Sequence, residues 1–444
     1  MAARTITPRR PALTNRARAG LSLALACATL AGCGRGDADV VTLDFWVMGR
    51  EGEVVAQLIP DFEARHPGIR VELQQLPVKS AHEKLMTSFA ADALPDIVPL
   101  GNTWVPEFDA LGALEPLDAR VAASATVDAG DYFPAIWDTN VIHGRTLGVP
   151  WYVDTRLFFY RRDLLTEAGF DHPPTTWDEW MTQMRAIKAQ VGPDRFAALL
   201  PLNEFEQLLA FGLQADEPLL RDDGRYGNFS SQGFRDALAL YASIFEERLA
   251  PVAANTQISN VWNEFGNGYY SFYVSGPWNI AEFQQRLPDS QQDDWATAPL
   301  PGKDGPGLSS AGGSSLVIFR SSEHKDAAWA LIEYLSEPAV QQRFHALTGD
   351  LPPRRSTWEF PSLADDPHAA AFREQLERVE STPKVAEWER IVTEMQRIAE
   401  RVVAGQYTVE EGAAEIDRRV DGILAKRRWV LDQEAQRAQE GDAA

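Results

Sequence analysis

The stretch from Met1 to Cys33 constrains this chain more than any other. It carries Arg4, Arg9, Arg10, Arg16 and Arg18 with no acidic residue, then an apolar run from Gly20 to Ala31, and it ends Leu30-Ala31-Gly32-Cys33. A basic start, a short apolar stretch and small residues ahead of a cleavage point form an export signal, and the run is too short to span a bilayer. Both cysteines of the chain fall here. Cys27 leaves with the signal and Cys33 becomes the first mature residue, so no disulfide framework can staple the mature body. Stability must then come from buried apolar area. At 444 residues the chain exceeds what one hydrophobic core usually serves, and two domains are expected.

The Leu30-Ala31-Gly32-Cys33 sequence resembles the lipobox of bacterial lipoproteins. That resemblance implies a lipid on the Cys33 thiol and an acyl chain on its freed amine, and more than one chain gives lasting membrane attachment. A plain secretory signal that happens to contain Cys33 is the alternative. Arg9-Arg10 leaves twin-arginine export open, although Pro11-Ala12-Leu13 fits that signal poorly. Residues 1–32 are therefore read as signal and 33–39 as a lipidated tether. The remainder is a periplasmic or cell-envelope body held at the membrane by that lipid alone.

Charge and composition exclude several classes of function. The formal charge is −22, and loss of the five arginines of the signal takes it from −22 to −27. Such a surface repels nucleic acid and anionic headgroups. The seven histidines are scattered without metal-ligand spacing, and no GxSxG, HExxH, Walker or dinucleotide glycine pattern occurs. No cofactor, metal or catalytic residue is assigned.

Along the chain, Val41–Met48 reads as a strand, Glu53–Arg65 as a helix, and Ile69, Val71 and Leu73 as a second strand. Ser80-x-x-Glu83 reads as a capping box, and Asp96-Ile97-Val98 as a third strand with a helix after it through Leu111. This alternation predicts an α/β fold with a parallel or mixed sheet between helices. From Trp151 the character changes. Leu157–Tyr160 is a buried-strand candidate, and Thr176-x-x-Glu179 opens a helix carrying Trp180, Met184 and Ile187. Tyr269–Val274 returns to strand and breaks at Gly276-Pro277-Trp278. Leu316–Phe319 is again a strand, with a helix over His324–Leu335. The last third is helical, with a capping box at Thr408-x-x-Glu411 and a stripe of Ile416, Val420, Ile423 and Leu424. Residues 433–444 form a polar, frayed tail.

These segments, in this order, resemble the extracellular solute-binding proteins of the ABC importers for oligosaccharides, the group of the maltose- and trehalose-binding proteins. The resemblance is carried by Phe62-Glu63-x-x-x-Pro67-Gly68-Ile69-x-Val71, Leu94-Pro95-Asp96-Ile97 leading to Trp104, and Gly148–Asp154. It continues through Tyr160–Leu165 with Ala168-Gly169-Phe170 and Trp177-Asp178-Glu179, then Gly276-Pro277-Trp278, Ala311-Gly312-Gly313 and Trp388. It implies a two-lobed periplasmic-binding-protein fold whose chain crosses between lobes three times around a central ligand cleft. The crossings are expected near Trp151–Thr155, Ala296–Leu300 and Leu347–Pro352. The N-lobe would comprise 40–151 and 299–347, and the C-lobe 155–296 and 352–432. Hinged closure belongs to the family, while the thermodynamics is general: a ligand that touches both lobes favours the closed form by its differential affinity. The implied partners are a small carbohydrate and an importer with two membrane subunits and an ATPase. A single copy of the chain is expected to suffice.

A pyranose needs flat aromatic faces for its C–H groups and in-plane carboxylates, amides or arginines for its hydroxyls. Trp278, after its Gly-Pro turn, is the first aromatic candidate, with a core tryptophan at the turn as the alternative. Trp388 matches the family's cleft tryptophan, although a helix-stripe position accounts for it equally. Trp104 and Trp151 lie at a strand-to-helix loop and at the first crossing, whereas Trp177, Trp180, Trp329 and Trp429 lie within helices and read as core. Asp154 matches an acidic hydroxyl acceptor, with pairing to Arg156 across the hinge as the alternative. Arg50 and Glu51 match by position only. Asn102, Asn203 and Glu204 are secondary candidates, and Arg354 and Arg355 follow the third crossing, to reach the cleft or face solvent. Gly312 and Gly313 would admit backbone amides close to a ligand, or serve a turn that needs positive φ. The chain departs from the maltose-type pattern at Asn279, which puts maltodextrin itself in doubt. Two rivals remain: a glycoside hydrolase, which would also place carboxylates among tryptophans, and the same fold binding an anion or polyamine.

Overall fold

The computed structural model describes residues 40–258 and 260–441. The signal, Cys33 and the tether 33–39 lie outside the described residues. Nine strands build two sheets: β1 Val41–Met48, β2 Ile69–Leu76, β3 Ile97–Gly101, β4 Val149–Asp154, β5 Leu157–Arg161, β6 Ala198–Leu199, β7 Phe272–Ser275, β8 Trp295–Ala298 and β9 Gly312–Ile318. The helices that position the site are α1 Gly49–Val55, α2 Val78–Ala90, α3 Trp177–Val191, α4 Glu206–Gly212, α5 Trp278–Arg286, α6 Pro338–Thr348, α7 Trp388–Val403, α8 Val409–Ile423 and α9 Ala425–Gly441.

The first sheet runs β2-β1-β3-β9-β4. The first three strands are parallel, and β9 is antiparallel to both neighbours. The second runs β8-β5-β7-β6, with β5 antiparallel to β7 and β8. Central strands covered on both faces carry unbroken apolar runs rather than alternation. Thus Phe158 and Tyr160 of β5 face the core built on Trp180, Phe211 and Phe272, while Leu157 and Phe159 face that of Phe283, Trp295 and Phe372. In β3, Ile97 joins Phe45, Trp151, Trp329 and Phe344, and Val98 and Leu100 turn to Phe108 and Phe319.

The chain passes between the sheets at Thr155-Arg156, where β4 gives way to β5, and returns between β8 and β9. Just after α6, Leu351 makes an isolated antiparallel bridge to Val153 of β4. Three connecting stretches therefore lie side by side at one place. The site is assembled there.

Several expected elements differ in detail. The helix read over Glu53–Arg65 is two helices, α1 and Ile59–Arg65, the second with Pro60 in its first turn. The capping box at Ser80 does not form, because α2 starts earlier, with Pro77 as its N-cap; Ser80 lies inside the helix. The boxes at Thr176 and Thr408 both form, each threonine accepting from the backbone N–H three residues on. The expected tail is helical through Gly441, as its alanine, glutamine, glutamate and arginine content favours.

Candidate functional site

Burial along β4 separates its side chains. Val149, Trp151 and Val153 are buried in cores, while Tyr152 and Asp154 are half-buried, Tyr152 packing against the same cluster as Trp151. Trp151 is 2 % exposed and stacks on Phe344 at 4.5 Å, so the cleft role expected for it is corrected to a core role.

Asp154 ends the strand, and Arg156, buried two residues on, turns back to it. Arg156 Nη1 donates to Asp154 Oδ1 at 2.5 Å, and Nη2 donates to Glu206 Oε1 at 3.1 Å. Glu206 is the first residue of α4, where a carboxylate suits the helix dipole. Burial opposes the charge on Arg156, and the carboxylates of Asp154 and Glu206 outweigh it, raising its pKa. Burial raises the Glu206 carboxyl while Arg156 opposes. The alternative reading of Asp154, a pair with Arg156, is thus realised. Yet each acid keeps one oxygen without a hydrogen bond among the described residues, with its side chain 30 % exposed.

Trp278 completes this corner. It begins α5 directly after Gly276 and the N-cap Pro277, and its ring folds back over Gly276: a Cβ there would lie 2.1 Å from the indole Cζ3. Only glycine leaves room for that fold-back. The Arg156 guanidinium lies 5.0 Å from the ring centroid, and the residue stays 37 % exposed. A flat aromatic surface thus stands beside two free carboxylate oxygens.

A second group of acids joins the corner from the first-sheet side. Burial raises the Glu51 carboxyl in α1, with Arg50 beside it acting in the opposite direction. Asp350, at the third connection, is pushed up to about 8 by burial and then by the carboxylates of Glu51 and Asp154; its Oδ2 is buried without a partner. Tyr152 lies among the three, its hydroxyl raised by burial first and by those acids next. Arg50 itself is exposed and donates to the Leu347 carbonyl.

Trp104, half-buried at the end of a 3-10 turn, meets the His82 ring edge-on at 4.9 Å. His82 bonds Glu107 at 2.6 Å, and that bond raises its pKa. The neighbouring Thr103 donates to Glu389 of α7 at 2.5 Å, joining first-sheet and second-sheet elements at another point.

Three further expected positions are corrected: Trp388, Arg354 and Trp429. Trp388 is 1 % exposed inside the core with Ile391, Val392 and Met395, because it starts the strongly amphipathic α7 on its buried face. Arg354 is buried and committed to Asp131 at 2.6 Å and to the carbonyls of Thr126 and Ser336. Gly312 and Gly313 lie where two strands approach closely. They pair with Asp154 and Val153, and a Cβ would stand 2.5 Å from the Asp154 carbonyl at Gly312 and 2.2 Å from the Tyr152 carbonyl at Gly313. Trp429, expected in a core, is 63 % exposed on α9. Trp177, Trp180 and Trp329 are buried as expected.

Of the secondary candidates, Asn102 accepts from the Ser315 hydroxyl, Asn203 pairs with Asn255, and Glu204 takes Asn255 and Gln207. Arg355 is bound to Glu377 at the surface. Sequence reasoning missed Glu206, Asp350 and Tyr152 as site residues. Arg156 followed Asp154 by two residues, and Asp350 fell inside the third expected crossing; no local signal marked Glu206.

Residues 48–342 match the model of the bacterial extracellular solute-binding proteins. The chain belongs to that family. The sugar-binding protein MalE from Xanthomonas citri is 60 % identical, with a TM-score of 0.86 over 88 % of this chain and all of that one. A solute-binding protein of an ABC transporter from Thermotoga lettingae, bound with α-D-tagatose, is 27 % identical, with a TM-score of 0.74 over 86 % of this chain and all of that one. The diacetylchitobiose-binding protein DasA of Streptomyces coelicolor is 23 % identical over 394 residues, 87 % of this chain and 89 % of its own length. As a solute-binding protein the chain has the two-lobed fold of its relatives. Among its described residues no helix is long and apolar enough to cross a membrane, and no group of three acids, histidines or cysteines could hold a metal.

Proposed function

We propose that this solute-binding protein captures a neutral sugar or oligosaccharide between its lobes and delivers it to the membrane subunits of an ABC importer. One observation carries the reading: the open face of Trp278 beside the free oxygens of Asp154 and Glu206. Stacking takes the C–H face of a pyranose, and carboxylates take its hydroxyls. The sugar-binding MalE and diacetylchitobiose-binding DasA relatives support it. The Arg156 guanidinium beside Trp278 is already occupied by two carboxylates, which disfavours an anion.

The remaining parts of the reading have the same source. The lobes are 40–151 with 299–347 and 155–296 with 352–432, a division supported by the sheet to which each strand belongs. Cys33 carries the lipid that holds the mature protein at the membrane in the cell envelope, and one copy acts alone, binding without hydrolysis. A thermal-shift screen over neutral sugars, a sugar phosphate and a polyamine tests the function. A ligand at 100 times its Kd adds about 2.7 kcal/mol of apparent stability. The reading expects a shift from a neutral sugar; a shift from the phosphate or polyamine alone would overturn it.

A further inference from the structure

Arg156 stands between Asp154, Glu206 and Trp278 and contacts all three. It is buried, it lies on the link from β4 to β5, and its backbone N–H donates to Ser309. One guanidinium holds Asp154 by Nη1 and Glu206 by Nη2, and its carbon lies 5.0 Å from the centroid of the Trp278 ring. Each acid is bound to the guanidinium through a single oxygen, and each side chain stays 30 % exposed.

We propose that Arg156 is the positioning residue of the sugar site: its fork fixes two hydroxyl acceptors and one aromatic platform in a single geometry, and that geometry selects which sugar hydroxyls are read. The inference rests on the sugar reading above. Without the fork, Asp154 and Glu206 would repel each other and turn freely, and a ligand would have to order them on binding. Fixed acceptors discriminate strongly against a ligand whose hydroxyls fall elsewhere, since the buried polar group is then left unpaired. Lysine cannot substitute. An ammonium is a point charge without the fork that reaches two carboxylates at once, and without the delocalised plane that suits an aromatic neighbour. The Arg156 charge thus acts through Asp154, Glu206 and Trp278 rather than on the ligand.

The test is calorimetric titration of maltose, trehalose, lactose and diacetylchitobiose into the full chain, unaltered and as Arg156→Lys, Arg156→Gln, Asp154→Asn and the Arg156→Gln/Asp154→Asn double variant. The proposal expects the unaltered chain to bind at least one of the four. Arg156→Lys and Arg156→Gln should each weaken that binding tenfold or more at a temperature where a melt shows them folded. The double variant should lose less than the product of its two single effects. The ligand-induced change in emission that is lost in Trp278→Phe should also be altered in Arg156→Lys, which a purely structural arginine would not produce. Unaltered affinity in either Arg156 variant, or strictly multiplicative losses, would overturn the proposal while leaving the sugar reading standing. If neither Arg156 variant folds, Glu206→Gln, Asp154→Asn and their double variant replace them: losses smaller together than their product are expected, since both acids are tied through one guanidinium, and strictly multiplicative losses overturn the proposal. No binding of any of the four by the unaltered chain would instead overturn the sugar reading, and this role with it.

Discussion

Asp350 is the carboxyl whose environment departs most from water. Burial and the nearby Glu51 and Asp154 push it up to about 8, against an ordinary value of 3.8. Its folded-state pKa is raised, so the unfolded chain loses this proton first as pH rises. The stability it contributes is full below about 4 and is lost as pH climbs towards about 8. Asp350→Asn keeps the shape without the charge. Denaturant unfolding at pH 4.5 and pH 8.5 should show the unaltered protein losing stability relative to the variant at the higher pH, and a constant difference would refute the assignment. This residue was not legible in the sequence, because its character comes from α1 and β4 and not from its neighbours in the chain. The converse holds at Trp151, Trp388 and Arg354. Packing on Phe344 takes up Trp151, the buried face of α7 takes up Trp388, and the pair with Asp131 takes up Arg354.

Elements were read best where local chemistry decides them. The threonine capping boxes at α3 and α8 formed because a side-chain oxygen and a glutamate three residues on satisfy the first free N–H groups whatever lies beyond. The box at Ser80 failed because Pro77 had already set the start of α2. The Gly312-Gly313 pair was recognised as a place of close approach, but the sequence could not say to what. The answer is a strand: Gly313 has φ of +121° with the Tyr152 carbonyl against its Cα. Gly313→Ala should therefore lower stability in denaturant unfolding by more than about 1 kcal/mol, the scale of alanine at an incompatible backbone position. Because the same pairing carries Asp154, sugar affinity should fall with it. Unchanged stability would mean that the close approach relaxes freely.

The two-lobed plan was visible in the joint order of many weak segments, none decisive alone, and in the length of a chain without disulfides. Boundaries and hydrogen-bonded partners were not visible, since they depend on pairings such as β4 with β9 across more than a hundred residues. Attachment at the membrane belongs to this scale as well. If the proposed lipid on Cys33 is the anchor, Cys33→Ser should release the protein from the membrane fraction without altering sugar affinity; a variant that still pelleted after a salt wash would contradict the anchor. The central claim is that closure of the lobes on a sugar is built around Trp278, and calorimetric titration of Trp278→Ala beside a melt of the same unliganded variant tests it most directly. The account predicts a loss of about 2 kcal/mol or more in sugar binding, with a melting temperature close to that of the unaltered protein, as befits an exposed hot-spot aromatic. A sharply destabilised variant that still binds sugar with near-original affinity would contradict it.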